Sequence, residues 1–147
     1  MRQAMRFVFV VPIAVALTVL SACNSSSPNA PTTVAFSQND LRVGTGTQAA
    51  SGNTLTVNYT GWLYDPLKAD FKGLQFDTNT GNGPFTFTLG TGAVIAGWDK
   101  GLVGMKVGGL RQLIIPPSMA YGATRYGSIP PNTALVFEIE LTDAQSQ

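Results

Sequence analysis

Three stretches of this chain alternate apolar and polar residues with a period of two, and that pattern leaves few folds open. In "LTVNYTGWL", Leu55, Val57, Tyr59 and Leu63 share one parity, while Thr56, Asn58 and Thr60 take the other. "FTFTLG" alternates through Phe85, Phe87 and Leu89. "ALVFEIEL" sets Leu135, Phe137, Ile139 and Leu141 on one face, with Glu138 and Glu140 on the other. "LRQLIIP", from Leu110, reads as a further strand, ended by Pro116 and Pro117. Successive strand side chains point to opposite faces, so these are half-buried antiparallel strands with one wet face. A single helix signal stands among them: in "GAVIAGWDKGLVGM", Ala96, Trp98, Leu102 and Met105 recur at roughly helical spacing. So short a helix cannot cover a large sheet alone. The expected fold is therefore α+β, a twisted antiparallel sheet curling around one short α-helix.

The first 33 residues stand apart from that pattern. "MRQAMR" supplies a positive start, and the apolar run at 7–20 follows it. That run falls short of the roughly 20 apolar residues a membrane span needs, and it fits the hydrophobic region of an export signal. "LSAC" resembles the lipobox of bacterial lipoproteins, which makes 1–22 a signal peptide and Cys23 the lipidation site. A free thiol is the other reading of Cys23. "NSSSPNAPTT" has no hydrophobic period and reads as a flexible tether completing 23–33, with the folded domain at 34–147. Membrane attachment would run through lipidated Cys23, and Asn24 in place of Asp leans towards the outer membrane. The expected location is the periplasmic side of that membrane in a diderm host, or the cell surface in a monoderm one. With Cys23 consumed, no disulfide is available.

Composition removes most familiar chemistry. The chain has no histidine, so the usual general base, the Ser-His-Asp triad and most zinc sites are gone. The formal charge is +1, but Arg2 and Arg6 lie in the leader, and without them seven basic residues face eight acidic ones. No basic patch remains, so no nucleic acid is expected as a partner. "GTGTQA" at 44–49 loosely matches a dinucleotide loop, but no long helix follows, and it reads as a hairpin turn. Glu138 and Glu140 share the polar face of one strand and read as solvated rather than as glycosidase carboxylates. No metal and no cofactor are expected.

Several stretches, in order, resemble the FKBP-type peptidyl-prolyl cis-trans isomerases. They are "VNYTGWL", "QFDTN", "GPFTFTLGTGAVIAGWDKGLVGMKVGG", "IPPSMAYGA" and "IPPNTALVFEIEL". The resemblance spans nearly all of 36–143 and implies the family's antiparallel sheet around a central helix. By itself Trp98 fits core filling. The resemblance makes it the floor of an apolar pocket for a proline ring. It carries the pocket over to Tyr59, Asp77, Ile95, Trp98, Tyr121 and Phe137 as catalytic residues. Phe76, Phe85, Val94 and Ile129 carry over as substrate-binding residues. Period alone cannot separate pocket from core for Tyr59, Phe85 and Phe137. Asp77 reads either as a carboxylate at the pocket edge or as a turn former before "TNTGNG".

The implied activity needs no histidine. Rotation about a peptide bond is opposed by about 18–20 kcal/mol of resonance, and an apolar site can favour the twisted amide without breaking a bond. The expected partners are proline-containing polypeptides among exported proteins, with macrolide inhibitors of the family as ligands; a monomer is the default. A membrane-tethered binding module or chaperone with negligible turnover is the alternative. Three stretches depart from the family's pattern, and the second bears on substrate preference. No arginine follows Asp77, "TRYGS" is short and lacks the histidine of some members, and "YDPLKADFKGLQ" at 64–75 reads as a longer exposed loop.

Overall fold

The computed structural model describes residues 33–146. The apolar run at 7–20, Cys23 and all of the expected tether except Thr33 lie outside the described residues. Within them the chain forms a six-stranded antiparallel sheet and one short helix. The strands are β1 (Ser37–Arg42), β2 (Thr54–Tyr64), β3 (Lys72–Thr78), β4 (Phe85–Thr88), β5 (Leu110–Ile115) and β6 (Leu135–Gln145). The helix α1 (Ala96–Gly101) lies between β4 and β5, and a 3₁₀ turn (Pro117–Met119) follows β5. The sheet order is β1-β5-β6-β2-β3, and β4 pairs with the part of β2 that β3 leaves free.

The alternating segments are the strands expected of them, and their apolar parity faces the helix. Leu55 and Val57 of β2, Leu113 and Ile115 of β5, and Leu135 and Ile139 of β6 are fully buried. In cross-strand register, Leu113 lies opposite Phe137 and Phe137 opposite Gly61, a row running straight across β5, β6 and β2. The polar parity is ion-paired as well as solvated: Glu138 meets Lys72, and Glu140 meets Arg42.

Three local expectations change, and one strand had not been foreseen. The helix ends at Gly101, Leu102 serves as its C-cap, and Ala96 is exposed, so the apolar face begins at Trp98. "SQNDLR" shows no alternation, because every residue of β1 is exposed at the sheet edge. "GTGTQA" is no hairpin turn: it runs beside 104–109, with Gly46 N–H donating to Val107 O and Ala49 N–H to Met105 O. The exposed loop expected at 64–75 is shorter than that stretch. Tyr64 closes β2 and Lys72 opens β3, which leaves only 65–71 as loop.

One inward position breaks the apolar rule. Arg111 of β5 is only 6% exposed. A buried guanidinium is tolerable only when its N–H groups are satisfied. Here Nε and Nη2 donate to the two carboxylate oxygens of Asp40 on β1, at 2.6 and 3.0 Å. That bidentate partner holds the Asp40 carboxyl below the usual carboxylate range, against the opposing push of partial burial.

Candidate active site

Trp98, third residue of α1, is 4% exposed and sits in a cage of rings. Tyr59 and Phe137 meet it edge-on, with centroids at 5.1 and 5.2 Å and planes at 78° and 89°. Phe87 and Phe85 close the other sides at 5.7 and 6.3 Å. Edge-to-face pairs of this kind add about 0.5–1.5 kcal/mol each beyond burial. The indole Nε1 is buried without a hydrogen-bond partner among the described residues. Packing and the placement of the helix therefore hold Trp98, with no polar anchor on the ring.

Above Trp98 opens a cavity of about 430 Å³. That is within the range of small-ligand sites, about 300–1,000 Å³. Phe137 and Tyr59 reach it from β6 and β2, and Phe85 from the start of β4. Val94 and Ile95 enter from the segment before α1, and Tyr121 from the turn after the 3₁₀ segment. Two consecutive residues of β3, Phe76 and Asp77, both line it. A regular strand would send them to opposite faces, but a bulge against β2 between Gly61 and Trp62 re-aims one of them. Gly61 makes this wall possible. A Cβ there would lie 2.7 Å from both Phe137 Cε1 and Phe76 Cζ.

The rim carries the polar groups. The Tyr59 hydroxyl donates to Asp77 Oδ2 at 2.8 Å, so Asp77 is a strand carboxylate facing Tyr59 rather than a turn former. Burial first, and this hydrogen bond second, push the Tyr59 phenol up to about 12. Burial also raises Tyr121, with smaller contributions from the Tyr126 phenol and Asp77. Both phenols therefore stay neutral donors across the physiological range. The Tyr121 hydroxyl and the Ile95 N–H have no acceptor among the described residues, which leaves both donors for a bound carbonyl.

Two side chains that sequence reasoning passed over set the loops around this rim. Asn79, almost fully buried, accepts from Tyr59 N–H at 2.7 Å and donates to Val57 O and Gly83 O at 3.0 and 3.1 Å. It thereby replaces the missing ladder where β3 leaves β2 and fixes the backbone of Tyr59. Asp99 accepts from the N–H groups of Gly90 and Gly92 at 2.8 and 3.0 Å, which pins the segment leading to Val94 and Ile95.

Nine of the ten pocket residues named from the sequence line the cavity. Ile129 does not: it is 3% exposed, belongs to the core, and bridges the backbone of Tyr126. Ala93 and Tyr126 line the cavity and were not foreseen. Tyr126 lies in "TRYGS" and stacks flat on Tyr121, with centroids at 4.2 Å and planes at 6°. A loop aromatic without period gives no sequence signal of that kind. An apolar floor, aromatic walls and neutral donors at the rim can hold a small apolar ring and polarise a carbonyl beside it.

Comparisons with known proteins point the same way. Residues 45–142 match the family model described as FKBP-type peptidyl-prolyl cis-trans isomerase. The chain is 48% identical over 104 residues to an FK506-binding protein of Neisseria meningitidis, covering 69% of this chain and 89% of that one. It is 45% identical over 102 residues to FK506-binding protein 1 of Aspergillus oryzae, covering 67% and 88%. Among solved structures it is similar to FkpA from Escherichia coli, with a TM-score of 0.63 and 38% identity, covering 76% of this chain and 48% of that one.

Proposed function

Because this chain belongs to the FKBP-type peptidyl-prolyl cis-trans isomerase family and is an enzyme of that activity, we propose that it turns X–Pro bonds by desolvation and hydrogen bonding over Trp98. The observation that carries this reading is the cavity itself, floored by the indole and closed by Tyr59, Phe85 and Phe137. The proline ring lies on the indole, whose flat apolar face demands no polar partner. Water is excluded from the amide, which disfavours its planar, more polar ground state. As the bond twists, the carbonyl loses conjugation. The Ile95 N–H and Tyr121 hydroxyl then donate to substrate carbonyls. Asp77 holds the Tyr59 ring upright against the floor. An acceleration of about a thousand- to a millionfold requires about 4–8 kcal/mol, within reach of shape fit and one or two hydrogen bonds.

The substrates are proline-containing segments of exported proteins, and FK506-type macrolides occupy the same cavity. The chain is a lipoprotein, attached through Cys23 and facing the periplasm in a diderm host or the exterior in a monoderm one. The "LSAC" motif and the apolar run before it support this. Fatty-acid labelling in producing cells tests it: the wild type takes up label and Cys23→Ser does not. Equal labelling of both would sink the anchor. Isomerisation is tested by exchange NMR on short X–Pro peptides, with no protease present. Accelerated exchange is expected. A folded protein that accelerates no peptide across several X residues would be a binding module instead.

A further inference from the structure

Trp98 has no polar anchor, so the depth of the pocket floor is set by where α1 lies. With six residues, that helix is far below the length at which helices persist alone. Its position must come from tertiary contacts, and the three inward residues of β5 supply them in sequence. Ile115 packs against Gly97 and Leu113 against Gly101, so closely that a Cβ on either glycine would lie 2.5–2.7 Å from those side chains. The third inward residue is Arg111. Its Nη1 donates to Gly101 O at 2.8 Å and to Val103 O at 3.2 Å, the carbonyls at and just beyond the end of α1. Its other side grips Asp40 on β1 through Nε and Nη2. Four of its five N–H donors are thus spent, half on the helix end and half on the edge strand. Apolar residues would pack this site at lower desolvation cost, so stability alone gives little reason for a buried arginine.

We propose that Arg111, clamped by Asp40, is a positioning residue for prolyl isomerisation: its guanidinium holds the carbonyl end of α1 and so fixes the Trp98 floor beneath the substrate ring. The inference rests on Trp98 as that floor. Lysine cannot take its place fully, because one compact ammonium cannot reach a carboxylate bidentately and two carbonyls at once. Asp40→Asn keeps the shape and removes the charge that orients the guanidinium. Arg42 is the control on the same strand. It pairs with Glu140 and Gly108 O, neither of which belongs to α1.

The test compares the wild type with Trp98→Leu, Arg111→Met, Arg111→Lys, Asp40→Asn and Arg42→Met. Each is measured by peptide exchange NMR in conditions where circular dichroism shows it folded. A Trp62→Phe background lets the near-ultraviolet tryptophan band report Trp98 alone. Arg111→Met should lose about tenfold in kcat/KM and weaken that band, Arg111→Lys and Asp40→Asn should lose less, and Arg42→Met should change neither. If Arg111→Met does not fold, Arg111→Lys and Asp40→Asn decide. Activity within twofold of wild type with an unchanged band in those variants would overturn the inference. An equal loss in Arg42→Met would also overturn it, since sheet stability would then be the cause. An unimpaired Trp98→Leu would sink the pocket reading and this inference together. An impaired Trp98→Leu beside unimpaired Arg111 variants would sink this inference alone.

Discussion

Gly61→Ala measures how rigidly the aromatic wall is held. The new methyl would lie 2.7 Å from both Phe137 Cε1 and Phe76 Cζ, where ordinary contact begins at 3.4 Å. Each ring would have to retreat by about 0.7 Å, enough to forfeit much of its contact energy elsewhere. Phe137 has no room to do so. It is 4% exposed and already meets Trp98 edge-on at 5.2 Å. Phe76, half-buried and perpendicular to Phe137, must take most of the displacement. Overpacking of this kind costs about 1–3 kcal/mol. Alanine also narrows the unfolded ensemble, which offsets about 0.4–1 kcal/mol. A net loss of about 1–2 kcal/mol should lower the urea midpoint by roughly 1 M, for a slope of about 1–3 kcal/mol/M. Because the displaced rings line the cavity, kcat/KM should fall about tenfold in protein that is still folded. The assays are urea unfolding and peptide exchange NMR. A variant as stable and as active as the wild type would show that the two rings do not pack on the β2 backbone as described.

Three other outcomes are expected. Tyr59→Phe and Asp77→Ala each remove the 2.8 Å hydrogen bond at the rim. Each should lower kcat/KM a few-fold and stability by less than about 1 kcal/mol, and the double variant should be no worse than either single one. Additive losses in that cycle would separate the two residues. Turnover should show no phenol ionisation limb between pH 7 and pH 9, because the Tyr59 phenol is pushed up to about 12 and Tyr121 is raised as well. A limb in that window that vanishes in either Tyr→Phe variant would contradict this. For stability, the raised Tyr59 contributes fully below the unfolded phenol value of about 10, and that contribution is lost as pH rises towards its folded value. The lowered Asp40 acts in the opposite sense. Its contribution is present above the unfolded value of 3.8 and is lost as pH falls through the folded one. Asp40→Asn should therefore flatten the acid limb of thermal unfolding, and an unchanged limb would refute the pairing with Arg111.

The fold was largely legible because its central strands bury one face each. Leu55, Val57, Leu135 and Ile139 announce that face by parity alone. The edge strands were not legible for the same reason reversed. β1 buries no side chain, and apart from the Asp40–Arg111 pair it is held to β5 by backbone groups, to which hydropathy is blind. The pocket residues became visible through family resemblance rather than period, since Phe137 has the same parity whether it lines a cavity or fills a core. Two features lay beyond either kind of reading. The β3 bulge lets neighbours Phe76 and Asp77 face one cavity, and the inward Arg111 interrupts an otherwise apolar row. Both depend on a partner distant in sequence, Gly61 for the bulge and Asp40 for the arginine. Ile129 belongs to the buried core, while Tyr126, bridged to it through the backbone, lines the cavity.

The most direct test of the account is the rate of cis/trans exchange of an X–Pro peptide with wild type and with Trp98→Leu, each verified as folded. The account predicts strong acceleration by the wild type and at least a tenfold loss, about 1.4 kcal/mol, when the indole floor is removed. Equal acceleration by the two folded proteins would contradict it, because the rotation would then owe nothing to the pocket built around Trp98.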